Sequence, residues 1–319
     1  MKKILCVLMP CLLFVMAGCS GHSKNLKFGA ADIGGVYYSF ASTFTQLADK
    51  EIDGYTFETK TTAGSVANLR LISDGYIDLA IVQADLLSDA YNATGTFADK
   101  KYQKGYKAVA SLYTECCQIV VRKDSGITGI DDLINKTVSV GASESGSEKN
   151  AEQILKMSGI TDELINKVNM DYTEAAEKLK AGEIDAFFCT AGTRTEVIGQ
   201  LSKECDICLI SLDDKCIDKM LSAYSLCEKY TIPAGTYNGQ DSDVTTIGVK
   251  AVLIAKQSLS DDVIKNVTKT IYEHADDFKY ATSLDISFDI NTAADGVDIP
   301  FHSGAAAYYT ERGINVLTE

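Results

Sequence analysis

The 319-residue sequence is poor in the residues from which catalytic and metal sites are most often built. Its three histidines, His22, His274 and His302, are far apart and none stands in a recognisable pairing with a nucleophile, so Ser-His and Cys-His signatures are excluded. One CxxC, Cys205 to Cys208, has metal-ligand spacing but no second CxxC or His pair, which excludes the usual structural zinc pattern. Positive charge is also scarce: with a formal net charge of −14 and no basic run to neutralise phosphates, the chain is not built for nucleic acid. Three prolines leave little room for long disordered linkers. The long apolar run, residues 4–16, is too short to span a bilayer as a mature helix. Nucleotide signatures are missing as well. GAADIGG has four residues between its glycines where dinucleotide folds want GxGxxG, Gly35 is followed by Val36 rather than the Lys of a phosphate loop, and GASESG is no nucleophile elbow. No cofactor is expected.

What is present begins with an address. Lys2 and Lys3 precede the apolar run, and Val15-Met16-Ala17-Gly18-Cys19 places small residues just before a cysteine. The stretch resembles a bacterial lipoprotein signal, with Met16 where leucine is usual; this implies cleavage after residue 18, lipidation of Cys19, and a membrane-anchored, extracytoplasmic protein. An ordinary secretory signal is the alternative. Seven cysteines then remain, an odd number that leaves at least one thiol free; Cys205, Cys208 and the vicinal pair Cys116-Cys117 read as small apolar fillers in strands.

An internal echo organises the rest. Gly29-Ala30 with Gly34-Gly35 returns as Gly141-Ala142 with Gly146-Ser147, in each copy after a β-type run and before a helical pattern. Downstream, Gly75-Tyr76-Ile77-Asp78 matches Gly182-Glu183-Ile184-Asp185. Between the echoes strands and helices alternate: Tyr55 to Lys60 as strand, Val66 to Ser73 as helix, Ile77 to Val82 as a buried apolar strand. Two copies of one β-turn-α design imply an α/β protein of two doubly wound lobes, and ligands on such sheets bind beyond the carboxyl ends of the strands. The glycine loops fit either tight turns or anion sites at helix starts.

GGVYYSFASTFTQLADK, TTAGSVANLRLISDGYIDLAIVQAD, VGASESGSEKNAEQIL, IPAGTYNGQDSDVTTIGVKAVLIA and IPFHSGAAAYYTERG, in that order, resemble the TAXI subfamily of solute receptors for TRAP transporters. The resemblance implies a bilobed type II periplasmic-binding-protein fold, two doubly wound sheets joined by crossing strands, that closes on a glutamate-like or dicarboxylate anion and hands it to TRAP-type permease subunits. The expected crossing strands are Val109 to Arg122 and Thr245 to Ala255. The expected division is a signal over 1–18, a tether over 19–25, lobe one from 26–115 plus 250–319, and lobe two over 116–249.

Carried onto this sequence, the implied contacts are amides at Gly35, Val36 and Tyr37, the ring of Tyr38, and the helix start at Ser65 and Val66, where Ser65 also fits a plain N-cap. To these are added Gln83, the loop Ser145, Gly146 and Ser147, then Gly192 and Thr193, and Tyr237 in the hinge-side loop. Asp85 reads as the cap of the helix after Gln83, and Glu144 as an acid that must point away from an anion. Arg194 reads as solvated at a helix start and His302 as a packing or capping residue. An enzyme on the same bilobed fold, or a ligand-sensing lobe of a signalling system, are the competing functions.

Overall fold

In a computed structural model, which describes residues 24–98, 102, 105–283 and 288–319, the first strand is β1, Lys24–Gly29. It opens two residues earlier than the apolar signal does, because Lys24 pairs in register with Tyr55. The signal segment and Cys19 lie outside the described residues. Helix α1 (Val36–Glu51) follows, then β2 (Tyr55–Lys60), α2 (Ser65–Ser73), β3 (Leu79–Gln83), α3 (Ala84–Asn92) and the long β4 (Tyr106–Arg122). The second lobe runs β5 (Thr137–Ser139), α4 (Gly146–Met157), β6 (Asn166–Val168), α5 (Tyr172–Ala181), β7 (Ala186–Ala191), α6 (Glu196–Glu204), β8 (Ile207–Leu209), α7 (Asp214–Ala223) and β9 (Cys227–Ile232). Strand β10 (Val244–Lys256) returns to the first lobe, which α8 (Asp261–Glu273), α9 (Ala275–Thr282) and α10 (Ser303–Thr310) complete.

The strands follow the order β2-β1-β3-β10-β4-β7-β5-β6, with β8 on β4 and β9 on β10. This is the expected α/β architecture: β1, β2 and β3 are parallel neighbours in one lobe, β5, β6 and β7 in the other, and antiparallel β4 and β10 run through both. In β3 all five residues, LAIVQ, are buried, as the interior position between β1 and β10 requires. α1 buries one stripe, including Tyr37, Phe40, Ala41, Phe44 and Ala48. Phe40 stacks on Phe278 of α9 at 4.4 Å between centroids, and Phe44 meets Phe28 and Phe57 edge-on at 5.5 and 5.6 Å, fixing the helix against both strands. In lobe two a separate core joins Ile119, Val138, Ile154, Phe188 and Met220.

The echo has a physical basis in both lobes. Gly75 and Gly182 both take left-handed backbone, φ 83° and 74°, where they end a helix. Three residues on from each glycine, the carboxylates do the same work: Asp78 accepts from the Lys27 N–H at 2.9 Å and Asp185 from the Thr137 N–H at 2.8 Å. Their own N–H groups donate back to the carbonyls of Lys27 and Thr137, each at 2.8 Å. A half-buried aspartate thus clamps the first parallel strand of each lobe.

The seven described cysteines carry free thiols. Cys116 and Cys117 of β4 and Cys208 of β8 take strand positions as expected, whereas Cys205 sits between α6 and β8; Cys189 of β7 and Cys227 of β9 are buried in strands and Cys216 is buried in α7. Among the described residues no group of His, Cys, Asp and Glu could hold a metal ion, and no helix is long and apolar enough to cross a membrane.

Candidate functional site

A cavity of about 250 Å³ lies between the lobes where their strands end. Its walls are the segments just beyond the carboxyl ends of β1, β2, β3, β5, β6 and β7, the place where an open α/β sheet presents its loops. The first turns of α1, α2, α4 and α5 border it, so four positive helix ends converge on one small space.

Gly35, Val36, Tyr37, Ser65, Gln83, Ser145, Gly146 and Ser147 line the cavity. Tyr38, Val66, Gly192, Thr193 and Tyr237 do not. Val66 is buried in the core and Tyr38 packs against it. Gly192 accepts from the Thr195 hydroxyl at 2.6 Å, with Thr193 beside it. Tyr237 stands behind the wall, donating to Gln118 Oε1 at 2.5 Å and accepting from the Thr195 N–H at 3.2 Å. Arg194 is exposed with φ 66°, and His302 caps α10 by accepting from the Gly304 N–H at 3.2 Å.

Several local roles differ from the expected ones. Gly64, at φ 122°, occupies the N-cap position of α2, so Ser65 is already inside the helix and its hydroxyl is free to accept from the Gln83 N–H at 3.1 Å. Gln83, not Asp85, occupies the N-cap position of α3; Asp85 is buried, and that burial pushes its carboxyl up to about 6. Ser145 is a true cap, accepting from the Glu148 N–H at 3.0 Å. Ser147 meets the Tyr172 hydroxyl at 2.6 Å and accepts from the Thr190 N–H at 2.8 Å, which ties α4, α5 and β7 together under the cavity.

Contacts across the cleft hold the lobes together. Glu144 turns away from the cavity and takes a two-pronged pair with Arg70 of α2, at 3.1 and 2.6 Å, while its carbonyl accepts from the Ala67 N–H at 3.1 Å. Gln83 donates to Asn150 of α4 at 3.0 Å. Asp32 reaches the first turn of α5, and burial raises its carboxyl, followed by the repulsion of Asp171; the N–H groups of Tyr172 and Thr173 pull the other way. A Cβ on Gly146 would lie 2.4 Å from the Gln83 side chain, so the close approach of the lobes requires glycine there.

The strongest feature of the cavity is one that sequence reasoning missed. Glu115, in the middle of the apolar run of β4, is 3% exposed, lines the cavity and accepts from the Tyr37 hydroxyl at 2.8 Å. Burial pushes its carboxyl up to about 8. A single acid within YKAVASLYTECCQIVVR was the available signal, since charge inside a buried strand needs a partner. With Asp32 and Asp171 it gives the lining, among the described residues, three carboxyl groups and no lysine, arginine or histidine.

A family model described as the NMT1-like family matches residues 28–313. PhnD1 from Prochlorococcus marinus, solved in complex with methylphosphonate, is similar with a TM-score of 0.57 at 12% identity, over 83% of this chain and 93% of that one. A putative L-cystine ABC transporter protein from Listeria monocytogenes has a TM-score of 0.52 at 14% identity, over 82% and 94% of the two chains. The periplasmic binding protein BugD has a TM-score of 0.55 at 11% identity, over 81% and 85%. At such identities the likeness is one of fold: that of periplasmic solute-binding proteins.

Proposed function

The chain belongs to the NMT1-like family, and from that premise we propose that it is an extracytoplasmic solute receptor that closes its two lobes on one small α-amino acid of the glutamate type. The observation that carries the reading is the cavity itself: four helix starts suited to a carboxylate stand beside three carboxyl groups suited to an ammonium group, with no basic side chain in the lining. A dicarboxylate would meet acids with no cation to offset them. The volume, about 250 Å³, is below the roughly 300–1,000 Å³ of drug-sized sites, which favours a metabolite as small as an amino acid. Since contacts from both lobes exist together only when the cleft is shut, ligand draws the population toward the closed form by its differential affinity.

Thermal unfolding of residues 20–319 against glutamate, glutamine, other amino acids and their deaminated counterparts tests this. A ligand at 100 times its dissociation constant stabilises by about 2.7 kcal/mol, so the midpoint should rise by roughly 5 °C for a chain of this size. A rise with dicarboxylates but not amino acids would overturn the ligand class, and no rise with any compound, even after unfolding and refolding to strip a co-purified solute, would overturn the receptor reading.

The same reading includes anchorage through Cys19 and delivery to TRAP-type permease subunits, both supported by the sequence resemblance. Cys19→Ser should move the protein from the membrane fraction to the soluble extracytoplasmic fraction; an unchanged membrane fraction would remove the lipid anchor.

A further inference from the structure

Glu115 lines the cavity on a strand that serves both lobes, and the elements packed around it bring no charge that could offset its own. Tyr37 arrives from α1, Tyr172 from the start of α5, and Tyr113 from its own strand. β7 brings Cys189 and α3 brings Asp85, while the neutral amide of Gln83 comes from β3. On β10 the nearest cation, Lys250, is bonded to the Thr114 hydroxyl at 2.9 Å, on the opposite face of the sheet from Glu115. The cavity side adds only Asp32 and Asp171. Every titratable neighbour among the described residues is therefore neutral or acidic, and a buried carboxylate with no cation is the costly state.

Two species can relieve that state: a proton, or a cationic group of the bound solute. We propose that Glu115 holds a proton in the empty cavity and exchanges it for the ammonium group of the solute, so that capture of an amino acid releases a proton. This rests on the amino-acid reading above. No covalent bond changes; the proton leaves the Glu115 carboxyl for solvent as the ammonium group takes its place, so one positive charge replaces another beside the Glu115 carboxylate while the carboxylate of the solute goes to the helix starts. The raised position of this carboxyl agrees with the exchange, since at neutral pH the empty site is then protonated. The sign follows: below about 8 the solute must displace a proton and binds more weakly, and above it the carboxylate is already free.

Difference infrared spectra of ligand-free wild type against Glu115→Gln test the first half without any ligand. A protonated carboxyl band at pH 7, absent from the variant and lost on raising the pH through about 8, is the expected result; an ionised Glu115 at pH 7 overturns the proposal whatever the fate of the receptor reading. Titration calorimetry with L-glutamate and L-glutamine in buffers of different ionisation enthalpy tests the second half. Expected are close to one proton released per solute at neutral pH, and affinity that rises about tenfold per pH unit before levelling, with the slope lost in Glu115→Gln. Proton uptake, or a slope that survives in the variant, overturns the exchange. No binding by any amino acid overturns the exchange together with the ligand reading, while the infrared result stands by itself.

Discussion

Gly146→Ala should weaken solute binding roughly tenfold to a hundredfold, because forcing a methyl group into a packed contact costs about 1–3 kcal/mol and 1.4 kcal/mol is a tenfold change. The methyl group would meet Gln83 at 2.4 Å only when the lobes are closed, for Gly146 belongs to lobe two and Gln83 to lobe one. Gly146 is not among the glycines with positive φ, and it is the first residue of α4, where alanine is as good or better. The ligand-free protein should therefore melt within about a degree of wild type, while calorimetric affinity falls. Gln83 can yield only by giving up its bond to Asn150, and removing it altogether leaves room for the methyl group. In a Gln83→Ala background the Gly146→Ala change should consequently cost little more. Affinity within twofold of wild type in the single variant would show that closure does not bring these two residues together.

Asn68→Ala is expected to be the most damaging of these changes to the fold. Asn68 is 0% exposed in α2, and its amide donates to the carbonyls of Gly29, Ala30 and Ile81 at 3.3, 2.6 and 2.9 Å. Its carbonyl accepts from the Thr62 hydroxyl at 2.8 Å. One side chain thus gathers the end of β1, the end of β3 and the loop that enters α2, so it positions the cavity wall as well as the sheet. At about 0.5–1.5 kcal/mol for each bond, the loss comes to roughly 3 kcal/mol and the melting midpoint drops by about 6 °C. Asn68→Asp, equal in size, should be worse at neutral pH, since it sets a negative charge among three carbonyl oxygens. The folded form would hold that new acid above its unfolded pKa, so its penalty should grow as pH rises from about 4 and vanish below it. Chemical denaturation at pH 4 and pH 7 checks the sign. An aspartate variant as stable as wild type at pH 7 would mean that the amide does not bind those carbonyls.

The repeat could be seen in the sequence because it is local. Gly75 and Gly182 end helices, Asp78 and Asp185 clamp strands, and the glycine-bearing loops precede helices, all within short stretches whose spacing is fixed by helix and strand geometry. Crossing strands were legible for the same reason, as long β-type runs, with β4 and β10 extending slightly past the expected Val109 and Ala255. Cap assignment failed by one or two residues at Ser65 and Asp85, where the left-handed backbone of Gly64 and the buried end of β3 decide where the helix begins. The partners across the cleft could not be read at all. Arg70 and Glu144, or Gln83 and Asn150, are far apart in the chain and meet through the closure angle of two lobes, a quantity no periodicity encodes. Glu115 was readable in principle as the one acid in a buried run, but what makes it informative is the absence of a basic neighbour among the described residues, which only the assembled cavity displays.

The place of β10 in the sheet also fixes the order in which the protein can be made. Residues 251–255 lie between β3 and β4, pairing with 79–83 on one side and with 107–113 on the other. A nascent chain that has emerged only as far as β9 still lacks, in lobe two, residues 244–249 of β10 on which β9 pairs and, in lobe one, has a gap at the middle of the sheet. The earliest half of lobe one therefore stays incomplete, with the facing edges of β3 and β4 unsatisfied, until the ribosome has finished the whole of the other lobe. Such long-range closure is slow and leaves sticky strand edges exposed meanwhile. Lobe two is the unit expected to mature first, and the interval before β10 arrives is when this chain most needs protection from other chains.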